Sequence, residues 1–157
     1  MISGQSPKRT WRDNTDGART IEEAMVIAKR FGVVIPEDVA FFVDETGELG
    51  RDVTARGPRV DKPAGEKVRW SDLVHDKTGK VPFRIWAGIL LSDEAIVAVI
   101  AHELHELETL RPFLEAGSLS IDDFIAHTEP GRAGNLHDQA WTVADELVDR
   151  MRGVGDP

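Results

Sequence analysis

Residues 92–110 read Ser-Asp-Glu-Ala-Ile-Val-Ala-Val-Ile-Ala-His-Glu-Leu-His-Glu-Leu-Glu-Thr-Leu, an apolar run that turns abruptly into two histidines and three glutamates. On a helix entered through Ser92 as N-cap, Val97, Ile100, Leu104, Leu107 and Leu110 fall along one buried stripe, and the four-residue interval stacks His102 beside Glu106 on a neighbouring face. Imidazole nitrogen and carboxylate oxygen both ligate zinc, so this pair predicts a metal ion held between them. Glu103, one step round from His102, adds another carboxylate able to act as an acid or base at this end of the helix. His105, three residues from His102, also shares a helix face with it, and a site of His102, His105 and a carboxylate has the same chemistry.

The plainest alternative is a solvated helix end, since charged helix faces are common. The placement of the charges argues against it. Residues 96–101 are apolar all round, as in a helix inside a domain, so the polar cluster begins while the helix still lies near the core. A buried histidine or glutamate must be paired, hydrogen-bonded or metal-bound, because an isolated buried charge is costly.

Catalytic zinc usually keeps three protein ligands and one open position, which calls for another donor. His137 is the candidate: it lies in the first turn of a C-terminal helix and borders an apolar face through Trp141, Ala144 and Val148. Its other reading is a residue that satisfies the helix start or packs beside Trp141. Asp138 is a ligand, a partner orienting His137, or a favourable charge at a helix N-terminus. His127 and His75 read as loop residues before catalytic ones. Because the chain contains no tyrosine, an oxyanion would have to be steadied by His75, His127 or an arginine.

The elements that must position these groups follow from the pattern on either side. Asp16 or Thr20 caps a helix with Ile21, Ala24, Met25, Ile27 and Ala28 at helical spacing, stopped by Gly32 and Pro36. Residues 39–43 form a short strand ending at Asp44, with a turn over 45–48. Strand-like islands stand at 51–55 and 67–74 in a stretch rich in Gly, Pro, Lys and Asp, and residues 81–91 read as a strand with Pro82 at its start or at a sheet edge. Pro112 and Gly117 end or kink the motif helix. A short helix capped by Ser120 follows, then a helix capped by Asn135 with Leu136, Ala140, Val143, Leu147 and Met151 on one face. This order predicts an α+β fold, a small mixed sheet with helices packed on one side and the motif helix following an edge strand. Residues 1–15 read as a linker and 16–157 as one catalytic domain. Trp86 and Trp141 are expected core anchors, while Trp11 and Trp70 read equally as partner-facing.

With 157 residues and 41% hydrophobic content, the chain can bury one substantial core. Its formal charge of −9 makes nucleic acid an unlikely partner, although a local basic strip from Arg51 to Lys80 keeps a nuclease in view. There is no cysteine, so any metal must sit on histidine and carboxylate. No stretch approaches a membrane span, and Pro7, Lys8 and Arg9 stand where a signal peptide needs an apolar core. The expected location on this ground is the cytoplasm, and if the chain crosses a membrane something else carries it.

The strand, the turn with Ser92-Asp93-Glu94 and the helix carrying Ala101-His102-Glu103-Leu104 together resemble the minimal core of a zincin metallopeptidase over residues 81–110. The resemblance implies His102 as a ligand, Glu103 as general base, Glu106 in the second ligand's place where the H-E-x-x-H motif has histidine, and an edge strand that aligns a peptide substrate. The compact acidic chain also resembles the C-terminal toxin domains of bacterial polymorphic toxin systems, which implies a cognate immunity protein and secretion as part of a larger toxin that is delivered into a target cell. The leading expectation is a zinc peptidase acting on protein or peptide. The alternatives are a metal-independent nuclease toxin using His102 or His105 with Glu103 or Glu106, and a non-catalytic binding module in which the cluster joins a polar network.

Overall fold

The computed structural model describes residues 18–153. The expected linker with Trp11, and the alternative cap Asp16, lie outside the described residues. Helix α1 (Ile21–Arg30) starts at Thr20, whose side chain accepts from Glu23 N while Glu23 Oε1 accepts from Thr20 N. Such a reciprocal cap contributes about 1 kcal/mol.

Strand β1 (Val39–Val43) runs parallel to β4 (Val81–Ile85), and β2 (Ala55–Arg56) pairs antiparallel with the end of β4. Val39, Phe41, Val81, Phe83 and Ile85 are buried while Phe42 and Arg84 alternate onto the other face, so helices cover one side only. Phe41 and Phe83 stack across the pair at 5.4 Å between ring centres. The α+β class and the small mixed sheet are therefore as the sequence predicts.

The edge position expected for β4 is not: it is the central strand, in the order β1-β4-β2. Pro82 is tolerated there because Val81 N donates to Asp38 O on the β1 side, so the site of the missing Pro82 N–H faces the other way, where β2 reaches only as far as Arg84. The strand also stops at Ile85 and not at residue 91. Ala87–Leu91 is a 3₁₀ turn, with the Trp86 ring laid over Gly88 so closely that a Cβ there would lie 2.4 Å from it. The island at 67–74 divides as well. Strand β3 (Lys67–Val68) pairs with β5 (Leu119–Ser120), and Asp72 then accepts from Arg69 N and turns the chain into the single-turn helix α2 (Trp70–Leu73).

Helix α3 (Asp93–Ala116) begins on the Ser92 cap and buries Val97, Ile100, Leu104, Leu107 and Leu110 as the spacing requires. Fully buried Ile96 and Ile100 each contribute about 1.5–3 kcal/mol relative to exposure. Pro112 neither ends the helix nor sits in its buried stripe; the end comes at Gly117, whose φ of 65° lets the Ser118 N–H return to Phe113 O. One turn before that end, Arg111 ties the helix to the residue preceding β1, reaching Asp38 at 2.7 and 2.9 Å, Glu108 at 2.8 Å and the face of Trp70 at 3.9 Å. One face of the half-buried Trp70 is thus covered from within the chain. With the Asp38 side chain 39% exposed, that network contributes about 1–2 kcal/mol.

Helix α4 (Ile121–Thr128) is capped by Ser120, and α5 (Leu136–Met151) packs along α3. The buried stripe of α5 is Leu136, Ala140, Ala144 and Val148, turned from the expected Val143 and Leu147. Two alanines let the helices approach closely, which outweighs placing the larger side chains inside.

Candidate metal centre

Helix α3 supplies His102, Glu103 and Glu106, and the first turn of α5 supplies His137. Asn135 sets where that turn begins: its Oδ1 accepts from Asp138 N, and its Nδ2 donates to Ala126 O and Glu129 O, tying α5 to the end of α4. His137 is thereby held opposite a helix turn more than thirty residues earlier. Glu106 Oε2 lies 3.1 Å from His102 Nε2 and 3.1 Å from His137 Nδ1.

The donor atoms of His102, Glu106 and His137 all lie within 4.8 Å of one another. Tetrahedral zinc about 2.0–2.1 Å from each donor sets ligand atoms about 3.3 Å apart, so the donor set and its spacing fit that ion with small adjustments. His102 is 3% exposed, and its ring is fixed on every side. Nδ1 lies 2.6 Å from Glu103 Oε2, Nε2 faces both Glu106 and His137 O, and the ring stacks on Trp141 at 4.1 Å. Glu103 Oε1 has no protein partner among the described residues and is not sealed from solvent.

Burial by itself pushes the His102 imidazole down, but the hydrogen bond and charge of Glu103 and the charge of Glu106 overcome it, and its pKa lies above the ordinary 6.5. Glu106 is also raised, first by burial and further by the charge of Glu103, against the hydrogen bond from His137. A raised His102 pKa means that folding favours the protonated ring, so this contribution is full below pH 6.5 and is lost as the pH rises through the raised value. A zinc ion held by His102 would compete for the same nitrogen. In chelator the melting temperature should fall as the pH is raised from 6 to 8; in zinc it should rise, because binding displaces the proton. Scanning calorimetry at several pH values checks both, and parallel curves in the two buffers would contradict zinc ligation by His102.

A cavity of about 730 Å³ opens beside the cluster, walled by residues 52–59 on one side and by His137, Asp138 and Trp141 on another. Asp138 stands on this wall, exposed, with Oδ2 accepting from Gly134 N, so it secures the loop and adds no ligand atom to the cluster. His105 and His127 line no part of the cavity, and His75 is exposed with Nδ1 accepting from Lys77 N. The structure therefore brings together His102, Glu106 and His137 with Glu103 alongside, and leaves the other histidines apart. Sequence reading placed Trp141 beside His137 as a core anchor but missed its stacking on the His102 ring. It also missed Thr54, Arg56 and Arg59 on the opposite wall, which no motif marks.

The fold and this cluster define an α+β protein with a His/Glu/His group able to hold a metal ion. No protein-family model, curated protein or solved structure matches the chain. Among the described residues no helix is long and apolar enough to cross a membrane.

Proposed function

We propose that the protein is a metal-dependent hydrolase, a zinc peptidase acting as a toxin or effector domain. The observation that carries the chemistry is the convergence of one donor atom each from His102, Glu106 and His137 beside a cavity, with Glu103 next to them. Zinc held by those three residues would lower the pKa of a bound water towards about 7 and polarise a carbonyl. Glu103 orients His102 through Oε2 and would serve as the base that takes a proton from the water and returns it to the leaving amine. Trp141 fixes the plane of His102. The toxin setting, with an immunity partner, rests on the sequence resemblance alone.

Protein purified without chelator should carry about one zinc per chain by elemental analysis, and chelation should remove both the metal and peptidase activity. Substoichiometric metal after zinc supplementation would overturn the reading. One observation favours a second reading: His102 forms a short hydrogen bond to Glu103, the geometry of a carboxylate-oriented acid–base histidine. RNA cleavage that survives chelator would select that metal-independent nuclease. The same self-satisfied bonds serve a binding module, for which neither metal nor turnover would be found.

A further inference from the structure

The cavity wall formed by residues 52–59 carries two arginines. Arg56, at the end of β2, and Arg59, three residues on, both line the cavity, and both are exposed. Neither guanidinium has a hydrogen bond or an ion pair with any described residue. Elsewhere the fold supplies such partners: Arg84, the register partner of Arg56 on β4, is held by Asp44 and Glu48, and Arg111 is held by Asp38 and Glu108. The carboxylates of the cavity do not serve the pair. Asp138 accepts from Gly134 N, Glu103 faces His102, Glu106 lies between His102 and His137, and Asp52 pairs with neither arginine. Residues 51–80, the strip that carries the two arginines, hold eight Lys and Arg against five Asp and Glu in a chain whose formal charge is −9. Like charges three residues apart repel each other, so an anion placed between them relieves a cost that the free protein bears.

Resting on the peptidase reading, we infer that Arg56 and Arg59 are specificity residues that bind a carboxylate of the substrate, and that the substrate is a polypeptide with an aspartate or glutamate side chain close to the scissile bond. A guanidinium presents parallel N–H donors whose spacing matches the two oxygens of a carboxylate, and it stays charged throughout the physiological pH range. The arginines stand on one wall of the cavity and His102, Glu106 and His137 on another, so one chain lying in it has a carbonyl for the metal and a side chain for the arginines. The remaining charges favour a single carboxylate over the phosphates of a nucleic acid. Asp52, Glu103, Glu106 and Asp138 line the same cavity and would repel a charge carried on every nucleotide, whereas one acidic side chain can meet the two cations alone.

The test uses the zinc-supplemented protein and two probes, the α-hydroxamates of N-acetyl-glutamate and N-acetyl-glutamine, titrated by calorimetry beside their matched α-amides. The glutamate hydroxamate should bind at least about fivefold more tightly than the glutamine one at low salt, the scale of a charge-assisted pair, and the ratio should shrink as salt is added. Replacing both arginines, as Arg56→Gln with Arg59→Gln, should collapse the ratio towards one at unchanged zinc content and melting temperature, since both side chains are exposed and unpaired. Equal affinity of the two hydroxamates for the unmodified protein, or a ratio that persists in the double variant, would overturn the inference. Competition assays distinguish the sources of the anion. An acetylated, amidated hexapeptide with one internal glutamate should displace the glutamate hydroxamate; equal displacement by its glutamine counterpart with a free C-terminus, or stronger displacement by a hexanucleotide RNA, would overturn the side-chain assignment. Loss of the metal reading looks different: each hydroxamate would bind no better than its amide, and the glutamate-to-glutamine ratio of the amides, with and without the two arginines, would still decide whether they bind a carboxylate.

Discussion

Replacing His137 with alanine should lower the melting temperature in zinc by about 5–10 °C and leave the chelator-treated protein nearly unchanged. Zinc bound only by the native state at about one hundred times its dissociation constant adds about 2.7 kcal/mol, and a domain of this size shifts about 2–4 °C per kcal/mol. The His137 side chain is 22% exposed, and without metal it contributes one hydrogen bond to Glu106. Glu106→Gln should behave similarly, and the double variant should resemble each single one, since once the metal is lost the second substitution has little left to remove. His102→Ala should differ. It leaves Glu103 and Glu106 short of a buried partner and empties the space against Trp141, so it should cost about 2–4 kcal/mol in either buffer. Calorimetry in zinc and in chelator separates these patterns. Additive losses for Glu106→Gln and His137→Ala, or equal losses for His137→Ala in both buffers, would reassign His137 to packing and leave the centre without its third ligand.

Glu103→Gln should reduce peptide cleavage by about 10²–10⁴-fold while keeping the fold and the zinc content. Glutamine retains an oxygen that accepts from His102 Nδ1–H, so the orienting bond at 2.6 Å survives, but an amide cannot take a proton from water. Cleavage of a peptide library, read beside elemental analysis, separates the base from the orienting role: lost zinc would mean that Glu103 acts mainly through His102. In cells, the substitution should abolish growth inhibition by the expressed domain if it is a toxin. Turnover within a few-fold of the parent would remove Glu103 from the mechanism.

The one-dimensional pattern by itself determined most helices and the half of the centre that lies on one of them. Ser92, the stripe from Val97 to Leu110 and the four-residue step from His102 to Glu106 are local relations, set by helix geometry wherever that helix is placed. The α+β class was legible for the same reason, since the alternation in residues 39–43 and 81–85 and the caps Thr20, Ser120 and Asn135 are short-range signals. Strand order was not, because hydrogen-bond neighbours come from distant segments, and only the tertiary structure shows β2 outside β4 with Pro82 turned to an unpaired side. Likewise, a histidine at a helix start reads alike as a cap, a packing residue or a ligand. What brought His137 to the cluster was the packing of α5 along α3 on Ala140 and Ala144, a long-range fit that sets its ring 4.7 Å from that of His102 and its Nδ1 3.1 Å from Glu106. The cavity beside the cluster is tertiary altogether: residues 52–59 and the first turns of α5 wall it from segments far apart in the chain, and no local pattern brings them together.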